Sequence, residues 1–256
     1  MLIAQLSDLH VGAYLPALVD SLVADVVAAA PALTVVTGDL TMRARRTEFE
    51  TVRAVLDRLP RPLLVVLGNH DVPLFSPSRI WAPYARYSRQ ITPDLDPVVV
   101  LPGTRALGLQ SMPRWRWKGG RVSRRQACLV QIGWDEQDGP EVRLIALHHP
   151  VSPRGPARIV GRERLLRAAA EARVDLVLAG HTHVPAVRRL DLPTGEGHWS
   201  VLEVVAGTAT STRVRGRGRS WTLIQVEQDA IRVQEREQVG LGWRAGRLVA
   251  HPRGIR

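Results

Sequence analysis

Five short apolar runs, each followed directly by a polar cluster, constrain the fold of this chain more than any other feature of its sequence. The runs are rich in leucine and valine, which is typical of buried strands. The first three recur at intervals close to the ~30 residues of a βαβ unit, so we expect these strands to be parallel neighbours. The runs cover residues 2–6, 33–37, 63–67, 144–147 and 176–179.

The stretches between the first three runs predict helices over residues 16–29 and 47–59. In the second, Phe49, Val52 and Leu56 share one face, and Thr47 and Glu50 have the spacing of a capping box. Strands that alternate with helices indicate an α/β fold. The polar clusters should then meet at the carboxyl edge of the sheet, where such folds bind ligands.

Beyond Gly195 the pattern changes to alternating segments at residues 199–205, 221–227 and 231–237. These predict antiparallel strands, which we expect to extend the same domain with a second sheet. Residues 1–256 are therefore predicted to form one domain, with a motif-bearing part over 1–190 and a β-rich C-terminal extension over 195–256.

Composition indicates a soluble, cytoplasmic protein with anionic partners. Arginine and lysine number 35 against 24 aspartates and glutamates, a formal net charge of +11, which favours phosphate esters, nucleic acid or acidic lipid headgroups. The single cysteine, Cys128, excludes an intrachain disulfide. No secretory signal or membrane-spanning run is visible.

Six of the eight histidines fall in the polar clusters that follow the five runs. Imidazole mixed with carboxylate suits Zn, Mn, Fe or similar divalent ions, and no thiolate is available. Residues two apart on an extended chain point the same way, so Asp8 with His10 and His181 with His183 could each grip a metal jointly. Glycines 38, 68 and 180 precede predicted ligands where the backbone must turn sharply.

The clusters follow one order: D-x-H, then GD, then GNHD, then H-x-P, then GH-x-H, over residues 8–183. This order resembles that of the calcineurin-like metallophosphoesterase superfamily. Five ordered motifs are far more specific than any one of them alone. The resemblance implies an α/β fold, a four-layer α/β/β/α sandwich of two mixed sheets flanked by helices.

The resemblance also implies two divalent metal ions, Mn, Fe or Zn. One would be held by Asp8, His10, Asp39 and His183, and the second by Asp39, Asn69, His148 and His181. A bridging hydroxide would attack a phosphate ester, which makes the protein a metal-dependent phosphoesterase. His70 is then expected to stabilise the transition state or to protonate the leaving group, and Asp71 to orient it.

Neighbouring residues on a strand face opposite ways, so only one of His148 and His149 should reach the metals. The His-x-Pro spacing selects His148 and leaves His149 a supporting or structural role. Arg43, Arg45 and Arg46 could line the pocket entrance or belong to the solvated start of a helix.

Two further segments are basic. Residues 114–118, Arg-Trp-Arg-Trp-Lys, could stack on bases, settle at a lipid interface, or form an exposed strand or loop. Residues 212–220, which repeat arginine with glycine, are predicted to form a solvated loop rather than a phosphate clamp.

Within the superfamily, the chain most resembles bacterial cyclic-nucleotide phosphodiesterases in length and motif spacing, so a small phosphate diester is the expected substrate. Met42 stands where purple acid phosphatases have a metal-binding tyrosine, which disfavours that subgroup. Many of the diesterases carry an acidic residue near position 42, which this chain lacks. The alternatives are a nuclease, a hydrolase of lipid-linked pyrophosphates acting in peripheral contact with a membrane, and a non-catalytic scaffold. The sequence predicts no oligomeric state.

Overall fold

The fold is described from a computed structural model that covers residues 1–74, 76–134, 142–152 and 159–254. Within these ranges the chain forms six helices and twelve strands. The helices are α1 Val19–Ala28, α2 Arg46–Leu56, α3 Ser78–Trp81, α4 Ala85–Gln90, α5 Arg124–Ile132 and α6 Arg162–Glu171. The strands are β1 Leu2–Leu6, β2 Leu33–Thr37, β3 Leu63–Val66, β4 Val98–Leu101, β5 Thr104–Leu109, β6 Val142–Leu147, β7 Leu176–Ala179, β8 Ala186–Thr194, β9 Gly197–Val205, β10 Ser220–Val226, β11 Ala230–Val239 and β12 Gly242–Pro252.

The strands form two mixed sheets of six. The first has the order β12-β11-β10-β1-β2-β3, and the second has the order β4-β5-β6-β7-β9-β8. Strands β1, β2 and β3 are parallel neighbours, which confirms the prediction drawn from the spacing of the apolar runs. Strands β5, β6, β7 and β9 are parallel in the second sheet.

Three apolar clusters separate four layers. Ile3 and Val35 lie in a cluster between the two sheets, whereas their neighbours Ala4 and Val36 pack outward against α1 and α2. A third cluster joins the outer face of the second sheet to α5 and α6. The alternation of adjacent residues between two apolar layers explains why the strands read as continuous apolar runs. The predicted α/β/β/α sandwich is confirmed.

The C-terminal strands do not form a sheet of their own, so the prediction that this region adds a second sheet was wrong. Its strands are divided between the two sheets. Strand β9 inserts beside β7 as a parallel neighbour, and β8 covers its other edge. Strands β10, β11 and β12 continue the first sheet from β1 in antiparallel fashion. Alternation identifies a strand, but it carries no information about the partner strand.

The two predicted helices need correction at their ends, and α2 ends at Leu56 rather than at Leu59. A single 3-10 turn, Pro16–Leu18, precedes α1. Helix α2 begins at Arg46 rather than Thr47, and its N-cap is Arg45. The side chain of Glu48, three residues later, accepts from the backbone N–H groups of Arg43 and Arg45. The predicted capping box of Thr47 and Glu50 was therefore wrong by two residues. In the described part of the chain, no helix is both long and apolar enough to cross a membrane.

Candidate metal centre

The seven residues predicted as metal ligands meet at one edge, where the carboxyl ends of the two sheets face each other. Strands β1, β2 and β3 bring Asp8, Asp39 and Asn69 to this edge, and β6 and β7 bring His148 and His181. The sheets are joined there by the backbone N–H of His181, which donates to Asp8 Oδ2 at 3.1 Å. All seven side chains are buried except that of His181, which is half-buried.

The first half of the cluster holds Asp8, His10, Asp39 and His183, whose potential ligand atoms all lie within 4.8 Å of one another. Nε2 of His183 lies 3.2 Å from Asp8 Oδ1 and 3.2 Å from His10 Nε2. Nε2 of His10 lies 3.6 Å from Asp39 Oδ2. Four potential metal-ligand atoms therefore surround one small space.

The second half holds Asp39, His148 and His181, again within 4.8 Å, with Asn69 among them. Nε2 of His148 lies 3.4 Å from Asp39 Oδ2 and 3.2 Å from Asn69 Oδ1. Nδ1 of His181 lies 3.0 Å from Asn69 Oδ1. Asp39 Oδ2 contacts both halves, which is the position that a bridging carboxylate needs.

Two backbone carbonyls fix histidine tautomers in this cluster. His148 Nδ1 lies 2.7 Å from the carbonyl of Thr37, and His183 Nδ1 lies 2.6 Å from that of Arg213. Each ring must donate there, so in its neutral form it turns a bare Nε2 lone pair toward the carboxylates. Asp8 Oδ1 consequently has no hydrogen-bond partner among the described residues although it is fully buried.

Lone pairs that converge without a donor between them are unfavourable unless a cation lies among them. Ligands around a divalent ion with bonds of about 2.1 Å lie roughly 3.0–3.4 Å apart, which matches most of the separations above. Nitrogen with carboxylate and amide oxygen is also the donor chemistry of first-row divalent ions. The residues therefore fit two divalent metal ions.

The backbone of the cluster is strained. Five of the seven predicted ligands have positive φ angles, between 50° and 72°: Asp8, His10, Asp39, His181 and His183. Only three other non-glycine residues of the described chain share this conformation. Left-handed backbone at a residue other than glycine is costly, and it persists where surrounding contacts impose it, as at a functional site.

Two glycines permit the close approach of the loops. A Cβ on Gly68 would lie 2.2 Å from Asp39 Oδ1, and a Cβ on Gly180 would lie 1.8 Å from Ser7 Oγ and 2.8 Å from Asp8 Oδ2. Any side chain at either position would displace a metal-site carboxylate. This agrees with the role that the sequence predicted for these glycines.

Burial disfavours ionised Asp8 and Asp39, but the adjacent histidines outweigh burial and hold the pKa of each carboxyl well below its usual value. Burial also disfavours protonated His148, yet Asp39 outweighs it and raises the pKa of His148 to about 9. Burial, followed by the charge of His148, lowers the pKa of His181 to about 4. In the metal-free protein, a proton on His148 therefore partly offsets the two carboxylates.

His70 borders the cluster without joining it. Its Nδ1 lies 2.9 Å from the Met42 carbonyl and its Nε2 lies 3.1 Å from Arg213 Nη1. Burial, then the charges of His10 and Arg213, lower its pKa, so the neutral ring donates from Nδ1 and accepts at Nε2. This arrangement supports a role for His70 in holding the guanidinium of Arg213, which can stabilise an anion, more than proton donation by His70.

Asp71 does not hold the His70 ring, contrary to the expectation that it orients this residue. Its carboxylate accepts from the backbone N–H groups of Leu40, Thr41 and Gly68 at 2.8–3.1 Å, and from the Thr41 hydroxyl at 3.0 Å. Burial, then Asp39, raise its pKa to about 6, which leaves it ionised at neutral pH. Asp71 therefore fixes the loop after β2, which carries Asp39, against the loop after β3.

Arg213 is the site residue that the sequence analysis missed. It lies in the segment predicted as a solvated loop, and most of that segment is indeed exposed, but Arg213 is half-buried against His70 and its carbonyl holds His183. The supporting hydroxyls of Ser7, Thr208 and Thr210 were missed as well. Ser7 Oγ donates to Asp8 Oδ2 at 2.6 Å, and the two threonines donate to the carbonyls of Asp8 and Leu9.

His149 does not offer a nitrogen to the metal cluster, as expected for a neighbour of His148, although its ring packs against that of His181 with 4.7 Å between the ring centroids. Its Nδ1 lies 2.9 Å from Ser111 Oγ and its Nε2 lies 3.0 Å from the Lys118 carbonyl. His149 thus connects the end of β6 to residues 114–118, which form a loop after β5 rather than a strand.

A cleft of about 290 Å³ opens beside the second half of the cluster. Arg43 lines it, while Arg45 and Arg46 are exposed at the start of α2, so only the first of these arginines lies at the pocket. The lining combines apolar side chains with three cations: Met42, Val72, Leu74, Trp117, Arg43, Lys118 and Arg213, together with Asn69 and His70.

Comparisons with known proteins agree with this geometry. The family model described as calcineurin-like phosphoesterase matches residues 1–185. No curated protein sequence matches the chain significantly.

Solved structures of low sequence identity share the fold. A purple acid phosphatase from yellow lupin (Lupinus luteus) seeds is similar with a TM-score of 0.64 and 11% identity, over 93% of this chain and 51% of that chain. This protein thus spans about half the length of the lupin phosphatase. Vacuolar protein sorting 29 from Cryptosporidium parvum is similar with a TM-score of 0.53 and 13% identity, over 98% and 97% of the two chains. A double mutant of Vps29 from Entamoeba histolytica gives a TM-score of 0.51 and 17% identity, over 98% and 99%.

Identities this low establish the fold alone, so the evidence for the family is the sequence model together with the residues of the site. The match covers well over half of the chain and includes all five motifs. Their side chains converge on one buried cluster of carboxylates, imidazoles and an amide. The protein belongs to the calcineurin-like phosphoesterase family.

Proposed function

We propose that this protein is a phosphodiesterase that uses two divalent cations held by Asp8, His10, Asp39, Asn69, His148, His181 and His183. Divalent cations at such a site supply Lewis acidity toward a phosphoryl oxygen and lower the pKa of water. The two buried carboxylates, kept ionised by the neighbouring histidines, would bind the cations at neutral pH.

The cleft beside Asn69 is the observation that favours a diester over a monoester. A diester carries a second organic substituent, which needs a surface beside the metals. Met42, Val72, Leu74 and Trp117 offer that surface, and Arg43 and Lys118 add positive charge around it. The phosphate group of a diester carries one negative charge, which these cations would balance. A site for the second negative charge of a monoester is then not needed.

Arg213 would act on the reacting phosphate, and His70 would hold the guanidinium of Arg213 in place. The guanidinium of Arg213 already donates toward Nε2 of His70, and both residues line the cleft next to Asn69. A phosphoryl oxygen that entered the cleft could receive a bidentate pair of hydrogen bonds from this guanidinium. Such donors stabilise the charge that develops in the transition state.

The test is hydrolysis by the Mn²⁺-loaded protein of bis-p-nitrophenyl phosphate and of the matching monoester. We expect a higher kcat/KM on the diester, and a loss of more than about a hundredfold in the Asn69→Ala variant, which removes a metal ligand. The exposed residue His198 provides the control, since His198→Ala should retain full activity. Preference for the monoester would refute the assignment as a diesterase.

The competing interpretation is a binding role without catalysis, because vacuolar protein sorting proteins share this fold. Metal analysis separates the two. About two equivalents of Mn²⁺ per chain are expected after loading and removal of excess metal, and clearly substoichiometric binding would favour the scaffold.

Comparing cyclic AMP with single-stranded DNA would rank the remaining substrates. Nuclease activity that depends on many phosphate contacts should fall steeply with salt, while turnover of a small cyclic diester should change far less.

A further inference from the structure

Four large side chains stand exposed beside the cleft and form what we call the Trp/Ile patch: Ile80, Trp81, Trp115 and Trp117. Their exposed fractions are 46%, 83%, 70% and 51%, in that order. Tryptophan is well buried on average, so three exposed rings at one place mark an interaction surface. None of these residues belongs to the metal cluster.

Hydrogen bonds tie the two segments of the patch together. Arg114 Nη1 donates to the carbonyl of Ile80 at 2.7 Å, and Arg79 Nε donates to the carbonyl of Arg114 at 2.8 Å. Arg79 also donates to the carbonyls of Arg116 and Pro73. The guanidinium of buried Arg79 therefore fixes the loop of residues 114–118 against α3, with Trp117 packed over it at 5.0 Å.

The arginines of this region are thus used inside the protein, while the rings point outward. Arg116 Nε likewise donates to the carbonyl of Gly119. A nucleic-acid surface needs guanidinium groups directed at phosphates between its stacking rings. Here the donors are turned toward backbone carbonyls, and the outermost groups are apolar or aromatic, including the consecutive exposed residues Ile80, Trp81 and Ala82.

The sequence around the patch is strongly basic. Residues 72–134 contain ten arginines or lysines against two aspartates, Asp94 and Asp96. This excess of eight is most of the formal net charge of the chain, which is +11. Basic residues around exposed tryptophan and aliphatic side chains are the combination that binds the interface of an anionic membrane.

We propose that the Trp/Ile patch docks this protein on the surface of an anionic phospholipid bilayer. The rings of Trp81 and Trp115 enter the headgroup region, and Arg43 and Lys118, which are exposed at the cleft beside Trp117, face the anionic lipids. Trp117 belongs both to the patch and to the lining of the cleft, so docking turns the cleft toward the bilayer. The inference concerns binding and holds whether or not the protein hydrolyses diesters.

The experiment is sedimentation of the purified full chain with vesicles of phosphatidylcholine, with and without phosphatidylglycerol. We expect binding to the anionic vesicles, and at least about a tenfold weaker binding for Trp81→Ser with Trp115→Ser, since two exposed rings no longer enter the interface. Leu241→Ser is the matched control, because Leu241 is also exposed but lies in the β11–β12 hairpin at the opposite edge of the first sheet. Its binding should equal that of the unchanged protein.

Quenching of tryptophan fluorescence by brominated phosphatidylglycerol gives a second readout that needs no stable variant. Trp134, Trp199 and Trp221 are buried, and Trp243 is half-buried on β12 at the far edge of the first sheet, so strong quenching on vesicle binding would report the exposed rings of the patch. Three outcomes would each overturn the proposal. The protein does not bind vesicles, the double variant binds them as well as the unchanged protein, or the rings are needed for binding single-stranded DNA but not vesicles. The same assay on Asn69→Ala should show unchanged binding, which keeps the outcome separate from that of the activity test.

Discussion

At the scale of single residues, the tautomers of the histidines decide what this cluster can bind. The carbonyls of Thr37 and Arg213 hold the Nδ1 protons of His148 and His183, so the Nε2 atoms of these rings are directed at Asp39 Oδ2 and Asp8 Oδ1. Neither carbonyl is recognisable from sequence, since any residue could provide one. Their effect is to prepare the ligands for a cation before it binds.

Metal uptake by this cluster should release protons and strengthen as pH rises. Asp39 raises the pKa of His148 to about 9 in the metal-free protein, against an unfolded value of about 6.5. The proton therefore stabilises the metal-free fold fully below about pH 6.5, and this contribution is lost as pH rises through about 9. A metal must displace it, so Mn²⁺ affinity should increase about tenfold per pH unit between pH 7 and 8.

Calorimetric titration with Mn²⁺ in buffers of different ionisation enthalpy measures this proton release directly. The observed heat should depend on the buffer at pH 7 and should depend on it less as the pH approaches 9. Heats that are the same in all buffers at pH 7 would contradict the assigned protonation of His148.

Arg213 offers a separate test, because its side chain and its backbone contact different residues. Arg213→Ala removes the guanidinium beside His70 but keeps the carbonyl that holds His183. We expect kcat on a phosphodiester to fall by about a hundredfold, with metal content unchanged. Arg215→Ala, an exposed position in the same loop, is the control. Similar losses in both variants would remove Arg213 from the reaction.

At the scale of elements, the strands carry the predicted metal ligands at their carboxyl ends, and buried polar side chains fix the loops that follow the strands. Asp71 holds the loop after β2 against the loop after β3. Glu203 on β9 does the same for the segment after His148 and His149, where its Oε1 accepts from the N–H groups of Val151 and Ser152 at 2.6 and 3.1 Å. Such contacts leave the ligands little freedom to relax.

Replacing Glu203 by alanine should therefore destabilise the protein. Glu203 is fully buried, and its loss leaves two backbone N–H groups without an acceptor. We expect the free energy of unfolding in urea to fall by about 1–3 kcal/mol. Glu196→Ala removes an exposed ion pair with Arg173 and should cost less than about 1 kcal/mol. Equal effects would show that the Glu203 contact contributes no more than a surface pair.

At the scale of the whole molecule, the region matched by the family model ends before the fold is complete. Residues 186–254 supply five of the twelve described strands, including β10 beside β1 and β9 beside β7. They also supply Arg213 to the site and Trp221 to the outer core of the first sheet. Without this region, β1 in the first sheet and β7 in the second sheet would each lose a neighbouring strand.

A chain cut after Pro185 should consequently fail to fold cooperatively, because β1 and β7 would become open edges with exposed apolar faces. Far-ultraviolet circular dichroism during heating should show no sharp transition. A chain cut after Gly240 loses only β12, an edge strand that is mostly exposed, and should keep a cooperative transition. Cooperative melting of the shorter chain would mean that residues 1–185 form an independent unit.

The sequence by itself determined the order of the parallel strands, the polar residues after them that gather into one cluster, and the glycines that let their loops meet. These features are local, since each short apolar run ends at its own polar cluster and the interval between runs sets their neighbours. Tertiary structure decided the pairing of the C-terminal strands, the role of Asp71, the place of Arg213 beside His70, and the joining of α3 to residues 114–118. Each of these depends on contacts between segments far apart in the chain, such as the 143 positions between Arg213 and His70. Residue type and periodicity describe a segment, but they do not specify which distant segment packs against it.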